Sequence, residues 1–315
     1  MIKFLKNIVV FLLITVIIGE IVVRVTHAVT DIPQRTIDDS GIQKYFPNQD
    51  GYWKGGDHQW VVNELGWPGE LPDSNDNLIN IIGDSYIENF MNPNECHQST
   101  FLKENMKDYN FMEAARSGVS LIEAMEISKQ TDTLNPKHTL IYVNNNDFLE
   151  SIVEVKSLSD ITQVNLTNNE IVFGKMKAPG AKKVLYTWKL LYYFYNRFPI
   201  GGNKKKKKKD ALETTSKKDA ERKTEHDDNI LKLINYIKAN YTISNKTLVF
   251  HPNSDHMIID MCLNSGFNVI VLDSSNDSKD WTFGYDTHWT CYGHEKVAEQ
   301  VSKNLLSNKS ISLSN

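Results

Sequence analysis

Cysteine is scarce in this chain. Three residues, Cys96, Cys262 and Cys291, stand far apart in 315, without the close pairing that a metal site draws on. An odd count cannot close entirely into bridges; the three read as packing residues, with at most one pair joined. An excess of charge is also missing. A formal net charge of -4 gives no basic surface over the whole fold, so nothing in the bulk numbers calls for nucleic acid as a partner. What is present, 40% hydrophobic and 23% charged residues, excludes a disordered chain and is enough for one large α/β domain with attachments.

The apolar residues are concentrated first at the amino terminus. Ile8 to Gly19 is almost wholly apolar, and Ile21 to Val23 continues the run past Glu20. With Glu20 and Arg24 paired four residues apart, the span Phe4 to Val25 approaches the roughly 20 residues that a bilayer requires. Lys3 and Lys6 precede it, which favours a cytoplasmic amino terminus and an exported body. Residues 1–28 thus read as a membrane anchor, with a cleaved signal peptide as the rival, because Thr26-His27-Ala28 loosely imitates a cleavage site.

Residues 29–75 are rich in Asp, Asn, Gly and Pro, with aromatic islands at Tyr45-Phe46, Tyr52-Trp53 and Trp67. This is a loop-rich lead-in, either a wall of an active site or a stalk that clears the membrane. From residue 76 to 308 the pattern becomes regular. Strands are expected at Leu78 to Ile82, Phe111-Met112, Thr139 to Val143, Thr247 to Phe250 and Val269 to Leu272. Helices are expected at Thr100 to Lys107, Leu121 to Lys129, Ile230 to Ala239, His256 to Cys262 and Glu295 to Leu306. Strands alternating with helices predict a three-layer α/β/α sandwich on a mainly parallel five-stranded sheet. Residues 201–228, with six lysines at Lys204 to Lys209 and hardly any apolar side chain, read as a mobile charged insertion; attraction to an acidic polymer or anionic lipid is its functional reading. Just before it, Val184 to Phe198 is aromatic on several sides. It reads as a helix that covers the sheet or lies against a membrane or glycan surface.

One stretch offers chemistry. The strand at Leu78 to Ile82 stops at Gly83-Asp84-Ser85, which puts a serine hydroxyl at a strand-to-helix turn on the carboxyl edge of the sheet, where open α/β sheets place ligands. A base for Ser85 is available at His288, in a polar loop before the closing helix. Asp286, two residues earlier, can fold back, accept the Nδ1 proton and leave Nε2 facing the serine. Two further loops at strand ends offer oxyanion donors: Ala115-Arg116-Ser117-Gly118 and Asn144-Asn145-Asn146-Asp147.

The order Ser85, Gly118, Asn146, His288 resembles the SGNH, or GDSL-type, hydrolases and acyltransferases, whose four blocks carry these residue types in this order. The likeness covers about residues 76–308, and Asn63-x-Leu65-Gly66 in the lead-in is similar to membrane-anchored bacterial members. It implies Ser85 as nucleophile and His288, oriented by Asp286, as base and then acid. The oxyanion hole would come from the Ser85 and Gly118 amides and the Asn146 side chain, with no metal or cofactor. Four positions depart from the family pattern: Asn89 and Asn144 replace glycines, Tyr285 stands where a carboxylate is frequent, and Glu113 is the nearest polar residue before Gly118 where Asn is common. The resemblance implies a serine esterase or O-acyltransferase on acyl, typically acetyl, esters of a cell-envelope or extracellular glycan. It would be held in a bacterial cell membrane by a single span, with the catalytic domain on the periplasmic or extracellular side. The expected partners are therefore an acyl ester or glycan substrate and the membrane, without nucleic acid. The alternative is a non-catalytic glycan-binding or scaffold protein on the same fold.

Overall fold

Four short runs rich in Ile, Leu, Val and Phe, and a fifth through Phe111 and Met112, have apolar residues on both faces of the strand, the mark of a parallel sheet covered on both sides. The computed structural model, which describes residues 1–198 and 215–307, pairs them into one sheet. Its strands are β1 (Leu78–Gly83), β2 (Asn110–Ala115), β3 (His138–Val143), β4 (Lys246–Phe250) and β5 (Asn268–Val271), in the order β5-β4-β3-β1-β2. Every pairing within it is parallel, so all five carboxyl ends lie on one edge.

Successive side chains of β1 point to opposite faces and feed two cores. Leu78 and Ile82 pack with Ile122, Leu233, Ile237 and Cys262. These come from α4 (Leu121–Thr131), α8 (Thr215–Asn240) and α9 (His256–Asn264). Ile79 and Ile81 pack with Leu102, Val297 and Val301, from α3 (Gln98–Asn105) and α10 (Cys291–Ser307). The result is the expected α/β/α sandwich.

Three details differ from expectation. Cys96 and Cys291 form a disulfide, with Cα atoms 5.0 Å apart, and only Cys262 packs as a free buried thiol among the described residues. The charged insertion expected at 201–228 lies outside the described residues up to 214, and 215–228 instead open α8. A helix with no apolar stripe in its first half leaves no periodic signal of its own. The aromatic stretch divides into two helices, α6 (Pro179–Thr187) and α7 (Lys189–Arg197), broken at Trp188.

Ahead of the domain, α1 (Ile2–Val25) is a single helix of 24 residues, buried only at Val23. At 1.5 Å per residue it is about 36 Å long, enough to cross a hydrocarbon core of about 30 Å. The lead-in carries two small antiparallel pairs, Arg35–Ile37 with Gln43–Tyr45 and Asp50–Tyr52 with Gln59–Val61. In Asn63-x-Leu65-Gly66, the Asn63 side-chain oxygen accepts from the Leu65 and Trp67 amides at 3.0 and 3.1 Å. That turn seats the fully buried Trp67 on the sandwich core.

Candidate active site

The turn that carries Ser85 is built by close packing at Gly83. A Cβ there would lie 2.6 Å from the Ile87 side chain and 3.3 Å from Tyr142, so only glycine lets β1 end directly against the short helix α2 (Ser85–Glu88). Asp84 caps that helix by accepting from the Tyr86 amide at 3.0 Å. Ser85 follows as the first helical residue, its own amide without a helical acceptor.

The His288 loop comes to the same edge. It doubles back on itself: Phe283 donates to the His288 carbonyl at 3.1 Å, and Thr290 to that of Trp281 at 2.7 Å. Asp286 Oδ1 accepts from the His288 amide at 2.9 Å and also from the imidazole Nδ1. These bonds hold the Asp286 carboxyl below the usual carboxylate range. With Nδ1 committed to Asp286, Nε2 faces Ser85 Oγ at 2.8 Å. The Tyr86 ring packs beside the imidazole, centroids 4.8 Å apart, which restricts its swing.

Gly118 and Asn146 line one open cleft of about 600 Å³ with Ser85 and His288. Gly118 has φ +81°, a conformation that suits glycine, and among the described residues its amide donates no hydrogen bond. Asn146 is exposed in the first turn of α5 (Asn145–Glu150), and its side-chain amide likewise bonds no other described residue. The neighbouring Asn144 caps α5: its amide donates to Asp147 at 2.7 Å, while its side chain bonds Asp84 at 3.2 Å and the Asn146 amide at 2.9 Å. A glycine at 144 could make none of these side-chain contacts. Asp84 and Asp147 thus flank one asparagine. Burial pushes the Asp84 carboxyl up to about 6, although the Tyr86 amide and His288 pull the other way. Burial and then Asp84 push Asp147 well above its ordinary value.

Asn89 shows why its departure from glycine is tolerated. It takes the left-handed conformation, φ 51° and ψ 29°, at the end of α2, a region that asparagine tolerates better than other side-chain-bearing residues. Its buried amide donates to the Cys96 carbonyl at 3.0 Å and its oxygen accepts from Asn92 at 2.6 Å. Asn92 also donates to the Trp289 carbonyl at 2.9 Å. The fourth departure, Glu113, is a buried partner of His97 Nδ1 at 2.6 Å.

Several residues of the site had no sequence signal strong enough to single them out. Glu88 accepts from Ser117, beside Gly118, at 2.6 Å and from the Tyr45 hydroxyl of the lead-in. His251, buried against Tyr86 and Trp289, lines the cleft with no partner for Nε2 among the described residues; burial and then His288 push it down to about 3. A second cleft of about 280 Å³ touches Ser85 and His288 from the other side, walled by Ile32, Pro33, Tyr45, Trp53 and Phe90. The lead-in therefore serves as a wall of the site.

No family model and no curated protein matches the chain. Among solved structures it is similar to a member of the lipolytic protein G-D-S-L family from Veillonella parvula, at 9% identity and TM-score 0.37 over 73% of this chain and 99% of that one. It is also similar to a GDSL-like lipase from Bacteroides ovatus, at 13% identity and TM-score 0.35 over 74% and 99%. A third is a lipolytic protein of the G-D-S-L family from Desulfitobacterium hafniense, at 10% identity and TM-score 0.34 over 72% and 98%. In this chain Ser85 follows β1, Gly118 follows β2, Asn146 follows β3 and His288 precedes α10, so the four residues come to the carboxyl edge of one parallel sheet.

Proposed function

We propose that the protein is a serine-dependent esterase or O-acyltransferase acting on acyl, in the simplest case acetyl, esters of a cell-envelope or extracellular glycan. The observation that carries this reading is the relay from Ser85 Oγ through His288 to Asp286. Ser85 Oγ attacks the ester carbonyl while His288 Nε2 takes its proton, and Asp286 stabilises the imidazolium. The Ser85 and Gly118 amides and the Asn146 side chain serve the oxyanion. His288 then protonates the departing alcohol, leaving an acyl-serine. Water or a sugar hydroxyl attacks that ester while His288 takes its proton, and His288 returns the proton to Ser85 Oγ as the acyl–Oγ bond breaks, regenerating the free serine. The asparagine-lined cleft and the lead-in cleft meet at Ser85, which supports a substrate with two distinct parts.

Export to an oxidising compartment is supported by the Cys96–Cys291 bridge. Retention of the anchor is supported by His27, whose ring packs tilted against that of Tyr52, centroids 4.4 Å apart, and whose carbonyl accepts from Gly55 at 2.7 Å, folding the rival cleavage site into the lead-in. The test is acyl-ester turnover by the full chain with Ser85→Ala and His288→Ala. Each is expected to lower kcat by at least about 10³-fold, with loss of fluorophosphonate labelling in Ser85→Ala. Undiminished turnover in either variant overturns the assignment, and product analysis with a sugar acceptor separates transfer from hydrolysis.

A further inference from the structure

We propose that α7 is a membrane-docking helix that lies in the headgroup region of the same bilayer that α1 enters. The proposal rests on α1 as an anchor and is independent of the chemistry at Ser85.

The first observation is how α7 is fixed to α1. Glu20 is the one carboxylate in α1, and its oxygens accept from the Lys189 amide at 3.1 Å and the Leu190 amide at 2.7 Å, the first two residues of α7. Arg24 completes the junction by donating to Glu20 at 2.7 Å and to the Thr187 carbonyl at 2.5 Å. Leu190 fills the space over Gly19, where a Cβ would lie 3.0 Å from its side chain. Glu20 lies five residues before the end of α1, about 8 Å along its axis. A bilayer core of about 30 Å takes up about 20 of the 24 residues. The start of α7 is therefore held at the depth of the membrane-water boundary.

The second observation is what α7 presents there. Leu191, Phe194, Tyr195 and Phe198 follow one another at helical spacing of three, four and seven, and all are exposed, Phe198 at 66%. Trp188, at the break before α7, is exposed at 52%, and Val184 of α6 is exposed as well. Trp and Tyr are the side chains enriched at bilayer interfaces, and an amphipathic helix with basic residues on its polar side is the form that lies in that plane. Lys189 and Arg197 supply the basic residues, and Lys189 pairs with Asp31 at 2.6 Å. No described residue covers the stripe, whereas α1 places a bilayer beside it. Asp31 also lines the smaller cleft at Ser85, so docking α7 fixes the catalytic cleft close to the headgroups.

The experiment uses the full chain in phosphatidylcholine vesicles with a minority of phosphatidylglycerol. With Cys96 and Cys291 bridged and Cys262 buried, a nitroxide can be directed to one introduced cysteine at a time under non-reducing conditions: Phe194→Cys on α7, Leu12→Cys in α1, or Lys303→Cys on α10. The reading is the ratio of nitroxide collisions with dissolved oxygen to collisions with a water-soluble nickel chelate. Phe194→Cys is expected to give a ratio between those of Leu12→Cys, eight residues deeper along α1 than Glu20, and Lys303→Cys. A Phe194→Cys ratio equal to that of Lys303→Cys overturns docking, and so does a label shielded from both reagents, which places protein on the stripe. A Leu12→Cys label in water overturns the anchor and docking together; none of these outcomes bears on whether Ser85 labels with a fluorophosphonate.

Discussion

Replacing both bridged cysteines, Cys96→Ala with Cys291→Ala, should cost stability well before it costs chemistry. The bridge closes a loop of 195 residues, for which the chain-entropy relation gives about 5 kcal/mol at 25 °C, near the upper end of the 2–5 kcal/mol that removing native bridges usually costs. Two other links join the same segments. Asn92 donates to the Trp289 carbonyl at 2.9 Å, and Gln98 donates to the His294 carbonyl at 2.7 Å. The Asp286 turn that aims His288 is internal to its own loop, so the Ser85–His288 distance does not depend on the bridge alone. The assay is urea unfolding of the full chain in detergent, followed by tryptophan fluorescence, for the oxidised protein, the protein with dithiothreitol and the double variant. With a urea slope of about 3 kcal/mol/M, the midpoint should fall by more than about 0.5 M in both altered states, while ester turnover measured well below the transition falls less than tenfold. An unchanged midpoint would refute the argument that the bridge constrains this chain, and loss of turnover in a still-folded variant would show that it also aims His288.

Asn89→Gly keeps the left-handed backbone and loses the bonds to Cys96 and Asn92, a loss of about 1–3 kcal/mol; Asn89→Ala adds left-handed strain of about 1 kcal/mol, so thermal melts should rank Ala below Gly, and the reverse order would contradict the account. Asp84, raised to about 6 from 3.8, binds its proton more tightly in the fold than in the unfolded chain. Its contribution is therefore favourable at low pH, declines as pH rises through the window from about 4 to about 6, and leaves a penalty of up to about 3 kcal/mol above it. Asp84→Asn, which can still accept from the Tyr86 amide but no longer from Asn144, should accordingly gain in melting temperature relative to the parent as pH rises from 4 to 7; parallel melting curves across that range would disprove the assignment. Asn146→Ala should lower kcat by about 10²–10³-fold, with KM changed far less, if the amide acts on the oxyanion, and a change confined to KM would assign it to substrate binding instead.

The difference between what could be read in the chain and what could not follows from range. Strands such as Thr139 to Val143 and Leu78 to Ile82 declare themselves because burial on both faces demands a continuous apolar run, and parallel pairing then puts Ser85, Gly118 and Asn146 on one edge without further information. The Asp286–His288 turn is local as well, since a carboxylate two residues before an imidazole needs only a tight loop. Asn89, by contrast, reads only as a departure from glycine, and the left-handed backbone that asparagine tolerates there is seen in the fold alone. Glu88 too gains its role only because Tyr45 and Ser117 arrive from opposite sides, and Cys96 meets Cys291 only because α3 and α10 share one face of the sheet. Neither pairing leaves a periodicity or spacing in the sequence. Likewise, the Glu20–Arg24 pair is legible from its four-residue spacing, whereas the two α7 amides that Glu20 also accepts from are not. The residues that assemble the wall of the site and its junction with α1 are those whose partners lie far away in the chain, and for them the fold itself is the first place where the partner can be seen.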